Sequence, residues 1–310
     1  MFLVYLTEAI NVRSTLVALG EKKLSIIKAL KLTWIGFFFS AITPGATGGQ
    51  PVEVYYMTKE KISAANGALA MLIQLCGFQI STLSISIICA FLYPSILKDG
   101  IIWFYLLGII LNGIVLSFML IAIFSDKITK KLVDIFIKLL SLAKIKNLEM
   151  KKKKILEGLN QYNESAVFIK NHKLEFIKSI FRVFIQIILF YSITYFVYRA
   201  FNLNSSSFFE VFAMQAILYT TVSSLPLPGS IGVSETLFLK IFTSVFASNI
   251  LASAMLVYRF VSFYLYILFS ALVVVITAIK TKNIVGEIDK NIIEIEKEDN
   301  KVLLKERVSF

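Results

Sequence analysis

The stretch Ile42-Thr43-Pro44-Gly45-Ala46-Thr47-Gly48-Gly49-Gln50-Pro51 and its later counterpart Pro226-Leu227-Pro228-Gly229-Ser230-Ile231-Gly232 decide the reading of this chain. Each closes an apolar run, residues 32 to 43 (LTWIGFFFSAIT) and residues 208 to 225, at the point where a helix should continue. Glycine and proline are common in membrane helices as single kinks. Their density here goes beyond one kink and predicts two broken helices. Non-helical backbone at membrane depth strands N–H and C=O groups unless protein or a water-filled cavity surrounds them. Interrupted apolar segments in corresponding positions of two halves point to a site between inverted repeats. A local resemblance supports the repeat: Pro44-Gly45 leads through Gly48-Gly49 to Glu53, and Pro228-Gly229 leads through Gly232 to Glu235, with two residues' difference in length.

Outward from these breaks, the chain reads as membrane-spanning. Of its 310 residues 57% are apolar and 17% charged, against roughly 45–50% and about 25% in ordinary globular domains. The charges are segregated: Ile101 to Phe124 and Phe260 to Ile279 carry none, whereas Asp126 to Lys178 is crowded with lysine. Apolar runs long enough to cross about 30 Å of hydrocarbon lie near 64–93, 101–124, 176–200 and 251–279. Met1 to Leu6 is apolar but too short for a span and lacks the basic leader and cleavage site of a secretory signal, so the chain is expected to begin partway through a helix.

The net charge of +12 then belongs to loops and flanks rather than to a nucleic-acid surface. The clusters at Lys22 to Lys31, Lys127 to Lys178 and Lys280 to Lys282 belong on the cytoplasmic side by the positive-inside rule. With four spans, the parities close only if each interrupted segment enters and leaves on one face, the first from the cytoplasm and the second from outside. The expected fold is an all-α integral membrane protein: a polytopic helical bundle with two re-entrant broken-helix hairpins in an inverted-repeat arrangement. Residues 1–280 form its transmembrane domain and 281–310 a cytoplasmic tail. Within the domain, 125–175 is a cytoplasmic amphipathic connector whose Ile155, Leu159, Tyr162, Ala166 and Ile169 mark one apolar face, read as lying on the membrane surface.

Several chemistries are disfavoured. Cys76 and Cys89, the only cysteines, lie on one apolar stretch and offer neither a disulfide framework nor a CxxC metal site. His172 is the sole histidine, so histidine-based catalysis and histidine metal clusters are not expected, and no cofactor or metal is implied.

The candidate site residues follow from the breaks. A new helix is expected from Pro51 and from Ser234 onward, with proline or serine suited to its first turn. Such starts present free N–H groups and about half a positive charge to a phosphate or carboxylate. Glu53 and Glu235 fall in those first turns; they either complement the helix dipoles or stand as cavity carboxylates for a cationic group or protons. Arg259 lies about 14 Å into the last apolar stretch at 1.5 Å per residue. There its guanidinium either binds a lipid phosphate through its fork or pairs with Glu235 or Glu53. Gln74, Gln79, Gln186 and Gln215 are read as interhelical hydrogen-bonders.

The run Ile42 to Pro51, with Pro228-Gly229-Ser230-Ile231-Gly232-Val233-Ser234-Glu235 and Tyr258-Arg259, resembles the transmembrane family of lysylphosphatidylglycerol synthases. This is the flippase-like membrane part of the multiple peptide resistance factor, also found as stand-alone bacterial membrane proteins. The similarity covers residues 1 to about 280. It implies a lipid-sized cavity that moves phospholipid between leaflets, lined or shaped by Thr43, Pro44, Gly45, Thr47, Gly48, Gly49, Gln50, Glu53, Pro228, Gly229, Ser230, Gly232, Glu235 and Arg259. Two departures matter. The family's first membrane helix is expected ahead of Met1, and nothing after Lys280 has the length of the soluble domain that transfers lysine from lysyl-tRNA to phosphatidylglycerol.

The expected function is therefore translocation of phosphatidylglycerol or lysylphosphatidylglycerol, the anionic group held by the two helix starts and Arg259 and an amino group by Glu53 or Glu235. The expected partners are anionic or aminoacylated membrane phospholipids and a separate soluble transferase, with no nucleic acid. The alternatives are a phosphatidylglycerol lysyltransferase or its membrane subunit, serving resistance to cationic peptides, and a transporter of small polar solutes.

Overall fold

The computed structural model describes residues 1–98, 100–125, 130–131, 157, 159–164, 166–167, 170–223, 225 and 227–280. Among them the regular structure is helical, with no strand. Four helices are long and apolar enough to span a membrane: Ala64–Leu92 (α4), Ile101–Phe124 (α5), Lys173–Ala200 (α6) and Ser248–Lys280 (α9). The shortest, α5, has 24 residues, or about 36 Å at 1.5 Å per residue. These are the four spans the apolar runs predict, with boundaries moved by at most a few residues. Along α5 the large side chains Trp103, Phe104, Ile110 and Phe118 face outward and are more than half exposed. A helix with so exposed an apolar face is at home in lipid and not in water.

Met1 to Leu6 is carried into a 17-residue helix, Phe2–Ala18 (α1), which the sequence reading foresaw only as a partial one. Its buried residues include Asn11 and Thr15 beside Val4, Tyr5, Ala9, Val12 and Leu16. That admixture of polar side chains is what hides it from a search for apolar runs.

The two interrupted segments become helix pairs. Ile26–Ile42 (α2) starts where the Ser25 hydroxyl accepts the Lys28 N–H at 3.3 Å. It stops at Thr43, which is extended as the residue before a proline must be. A one-turn 3-10 segment, Pro44–Ala46, leads to Gly49–Lys59 (α3). In the second half Phe208–Val222 (α7) gives way to a one-turn segment, Pro228–Ser230, and then Val233–Ile241 (α8). The two turns have the same backbone. Gly45 has φ 60° and ψ 23° and Ala46 φ 56°; Gly229 has φ 58° and ψ 13° and Ser230 φ 51°. Left-handed residues in succession need glycine at least once, because a Cβ there is crowded by the following carbonyl.

One expectation is corrected. The helix after the first break begins at Gly49 and not at Pro51, so Glu53 stands one turn further in than a first-turn residue. Pro51 is tolerated there because the first four N–H groups of a helix have no intrahelical acceptor.

The order helix, broken pair, long helix thus occurs twice, as α1–α4 and α6–α9. The start of α2 and the end of α3 meet through the Lys28–Glu60 ion pair at 2.6 Å. At that same end Ser63 N–H donates to Glu21 at 3.0 Å, Tyr162 O–H donates to the Ala122 carbonyl at 3.0 Å, and Phe124 packs on Phe176. The start of α7 and the region after α8 lie at the opposite end, where Tyr195 touches Phe208 and Tyr198 touches Phe246. The two pairs therefore begin at opposite ends of the bundle, and their turns touch.

Close packing locks the frame. A Cβ at Gly108 of α5 would lie 2.5 Å from the Thr220 carbonyl oxygen of α7, and next to it the Asn112 side-chain amide donates to the same carbonyl at 3.0 Å. A core of α4–α9 residues includes the stacked rings of Phe238 and Phe242, 4.2 Å apart. Most of the connector and all of the tail lie outside the described residues. Of the connector's predicted apolar face, Leu159 and Ala166 are buried, and Ala166 and Tyr162 pack with Leu69, Ile73, Cys76 and Ile123. That part of the face meets the helical bundle, where the sequence reading laid it on the membrane surface.

Candidate functional site

Where the two turns meet, α1, α2, α3, α4, α6, α7, α8 and α9 surround a cavity of about 340 Å³. Three charged side chains stand on its wall: Glu8, Glu53 and Arg259. The polar remainder includes Ser40, Gln50, Gln74, Gln186, Gln215 and Ser234. At its rim the wall turns apolar, with Ala46 and Leu227 exposed at the surface of the bundle beside the two turns.

Arg259 is not free. Its Nε lies 2.6 Å from Glu235 Oε1 as an ion pair lacking hydrogen-bond alignment, and its Nη2 donates to the Gly229 carbonyl at 3.0 Å. The guanidinium also sits 4.7 Å from the centre of the Phe263 ring, a cation–π contact. Immediately after it, Phe260–Tyr264 forms one π-helical turn in α9, a local irregularity that is frequent at functional sites. Glu235 is equally committed: its Oε2 accepts the Gly232 N–H at 2.6 Å and the Ser234 hydroxyl at 3.0 Å. The carboxylate thereby caps its own helix from the third position. Of the two pairings open to Arg259 in the sequence, the structure has the one with Glu235.

Glu53 is placed differently, although the motifs align it with Glu235. It is 4% exposed, and its Oε2 has no hydrogen-bond partner among the described residues. Its carboxyl group lies directly over Gly36 of α2, where a Cβ would fall 1.8 Å from Oε1. Only glycine leaves room for it. A buried carboxyl with an unused oxygen is costly unless a ligand or proton completes it.

Glu8 is the residue that the sequence reading missed. It stands on α1 and interacts electrostatically with Glu53, while its Oε2 accepts the Gln186 side-chain amide at 2.9 Å. The signal available in the sequence was the recurrence of Glu8, Asn11 and Thr15 at three- and four-residue steps in an otherwise apolar stretch. Gln74, Gln186 and Gln215 behave as interhelical hydrogen-bonders: Gln74 donates to Gln186 at 2.9 Å, and Gln215 donates to the Tyr258 hydroxyl at 2.7 Å, whereas Gln79 Oε1 is buried with no partner among the described residues.

Of the predicted residues, Gly45, Gln50, Glu53, Gly229, Ser230 and Arg259 stand on the cavity wall. The others build the turns around it. Thr43 Oγ1 accepts the Gly48 N–H at 2.9 Å and donates to the Phe39 carbonyl at 2.6 Å. Thr47 Oγ1 donates to the Pro44 carbonyl at 3.0 Å. Gly49 packs so closely on α2 that a Cβ would sit 1.9 Å from Ser40 Oγ. Pro228 opens the second turn, and Gly232, with φ 91°, ends it. No group of three or more potential metal ligands occurs among the described residues.

The arrangement can therefore hold a small polar group inside the bundle, close to the bundle surface. With Arg259 paired to Glu235, the unpaired side-chain charges on its wall are negative. A family model described as the transmembrane region of lysylphosphatidylglycerol synthase matches residues 1–270. Neither a curated protein nor a solved structure matches the chain.

Proposed function

The chain belongs to the lysylphosphatidylglycerol synthase transmembrane-region family, and from that premise we propose that it moves an aminoacylated phospholipid of the lysylphosphatidylglycerol type between membrane leaflets. One observation carries the choice: Glu8 and Glu53 share a cavity in which Arg259, the only cationic side chain among the described residues lining it, is already paired with Glu235. An ammonium group neutralises such a wall, whereas the anionic head of phosphatidylglycerol alone adds to its charge. The volume of about 340 Å³ suits a head group. The exposed apolar rim at Ala46 and Leu227 lets acyl chains remain in the bilayer. The lipid phosphate is then met by Arg259, where it competes with Glu235, and by N–H groups at the start of α3.

In this reading the helix pairs α2–α3 and α7–α8 are re-entrant hairpins opening to opposite faces of the cell membrane. The end of the bundle carrying Lys22, Lys23, Lys28 and Lys31 is cytoplasmic. The aminoacyl lipid comes from a soluble transferase acting on the same membrane, and its export serves resistance to cationic peptides.

The test is leaflet exchange in proteoliposomes of head-group-labelled lysylphosphatidylglycerol and phosphatidylglycerol. The expected result is faster exchange of the lysyl lipid, and its loss by about tenfold or more in Glu8→Gln/Glu53→Gln, equivalent to about 1.4 kcal/mol. Equal exchange of both lipids by the parent protein, or none by well-folded protein, overturns the proposal.

A further inference from the structure

Four side chains, Glu8, Gln186, Gln74 and Asn11, join the cavity to the half-buried Arg182 of α6. Arg182 Nη1 donates to Asn11 Oδ1 at 3.3 Å, and Asn11 Nδ2 donates to Gln74 Oε1. Gln74 Nε2 donates to Gln186 Oε1 at 2.9 Å, and Gln186 Nε2 donates to Glu8 Oε2 at 2.9 Å. The path runs from α6 to α1, to α4, back to α6 and again to α1. Asn11, Gln74 and Gln186 are each at most 6% exposed, so bulk water has little access to these bonds. Asn11 Nδ2 also reaches Ser179 Oγ at 2.9 Å.

The two ends fix the direction of the chain. A guanidinium can only donate and a carboxylate can only accept. Asn11 must therefore turn its oxygen to Arg182, and Gln186 must turn its amide nitrogen to Glu8. Gln74 then has one orientation that satisfies both neighbours. All three amide dipoles point the same way, positive end toward Glu8, and bonds aligned in this fashion polarise one another. Helix adhesion alone would be served as well by either direction.

We propose that Arg182 is a positioning residue for the Glu8 carboxyl group, orienting it as an acceptor in the cavity and favouring its ionised form through Asn11, Gln74 and Gln186. The charge acts from outside the cavity, so Glu8 is stabilised without a cation occupying the place of the ligand. Among the described residues Glu53 has no such chain, which makes the two carboxyl groups unequal partners for a cationic ligand. The titratable groups that interact with Glu8 are Glu53 of α3, Tyr219 of α7 and Tyr5 on α1 itself, and Met1, with Tyr258 and Arg259 of α9, stands on the same cavity wall. The inference rests on the cavity being a cation-accepting site, but its test requires no lipid to move.

The experiment is an infrared pH titration of the purified full chain in nanodiscs, in a Glu53→Gln background. The carboxyl band of Glu8 is assigned by its loss in Glu8→Gln. Arg182→Gln and Gln74→Met are each expected to move the appearance of the protonated Glu8 band to higher pH by about one unit or more, and Arg182→Lys to leave it close to the parent. Melting curves establish that the variants are folded; Gln74→Met carries the test if Arg182→Gln is not. An unmoved band in the folded variants overturns the proposal. A shift in Arg182→Gln without one in Gln74→Met overturns the route through the amides.

Discussion

Glu53 and Gly36 are in contact across the first helix hairpin, so closely that a methyl group at position 36 would lie 1.8 Å from Oε1 and 2.4 Å from Cδ of the glutamate. The carboxyl group takes its place in the cavity because α2 offers bare backbone there. Gly36→Ala is expected to lower stability by about 1–3 kcal/mol, the usual cost of overpacking, and to impair lysyl-lipid exchange. Glu53→Asp, one methylene shorter, should recover much of the stability in the double variant. Melting temperatures of the two single variants and the double variant in one detergent check this.

The Arg259–Glu235 pair is nearly buried, with side chains 10% and 18% exposed. Removing one partner strands the other charge, at about 3–5 kcal/mol for a buried pair. Arg259→Ala and Glu235→Ala are each expected to destabilise strongly, and the double variant by clearly less than their sum. A double-mutant cycle on thermal unfolding reads this coupling. Additive losses would mean that the ion pair contributes little.

Gly229 combines two constraints that can be separated. Its left-handed backbone makes alanine unfavourable by about 1–2 kcal/mol, and a Cβ would also lie 2.5 Å from the Phe263 ring. Gly20, at φ 84° with nothing within 4 Å of the same atom, carries only the first constraint. Gly229→Ala should therefore lower the melting temperature more than Gly20→Ala. Adding Phe263→Leu to Gly229→Ala should narrow the gap.

Sidedness is open to a direct measurement. Lys23 and Lys98 are exposed and lie at opposite ends of the bundle. With Cys76→Ser and Cys89→Ala as background, Lys23→Cys is expected to resist an impermeant thiol reagent added to intact cells, and Lys98→Cys to react. The reverse pattern would invert the proposed orientation.

The spans were legible in the sequence because lipid-facing helices such as α5 are almost wholly apolar and carry no charge. The breaks were legible because proline and glycine leave a mark that side-chain packing cannot erase. The helix α1 was not, since Glu8, Asn11 and Thr15 turn inward and dilute its apolar signal. Nor could the motif distinguish Glu53 from Glu235. Both follow a Pro-Gly turn, and only the packing of Gly36 under one and Arg259 beside the other assigns them different work. Arg259 was conspicuous as a charge within an apolar run, but its choice between Glu53 and Glu235 is made by the fold of the second hairpin.

The contact between the turns Pro44–Ala46 and Pro228–Ser230 has a bearing on biogenesis. During synthesis from the N-terminus the first turn emerges long before the second exists. It then lacks the contact it makes with the second turn in the finished molecule, and non-helical backbone is costly in lipid unless protein or water surrounds it. The first hairpin must wait in a more polar setting, at the membrane surface or within the insertion machinery, until the second arrives. The last stage of folding is then a meeting of the halves, and a fragment ending before residue 228 would be left with an unfinished first half.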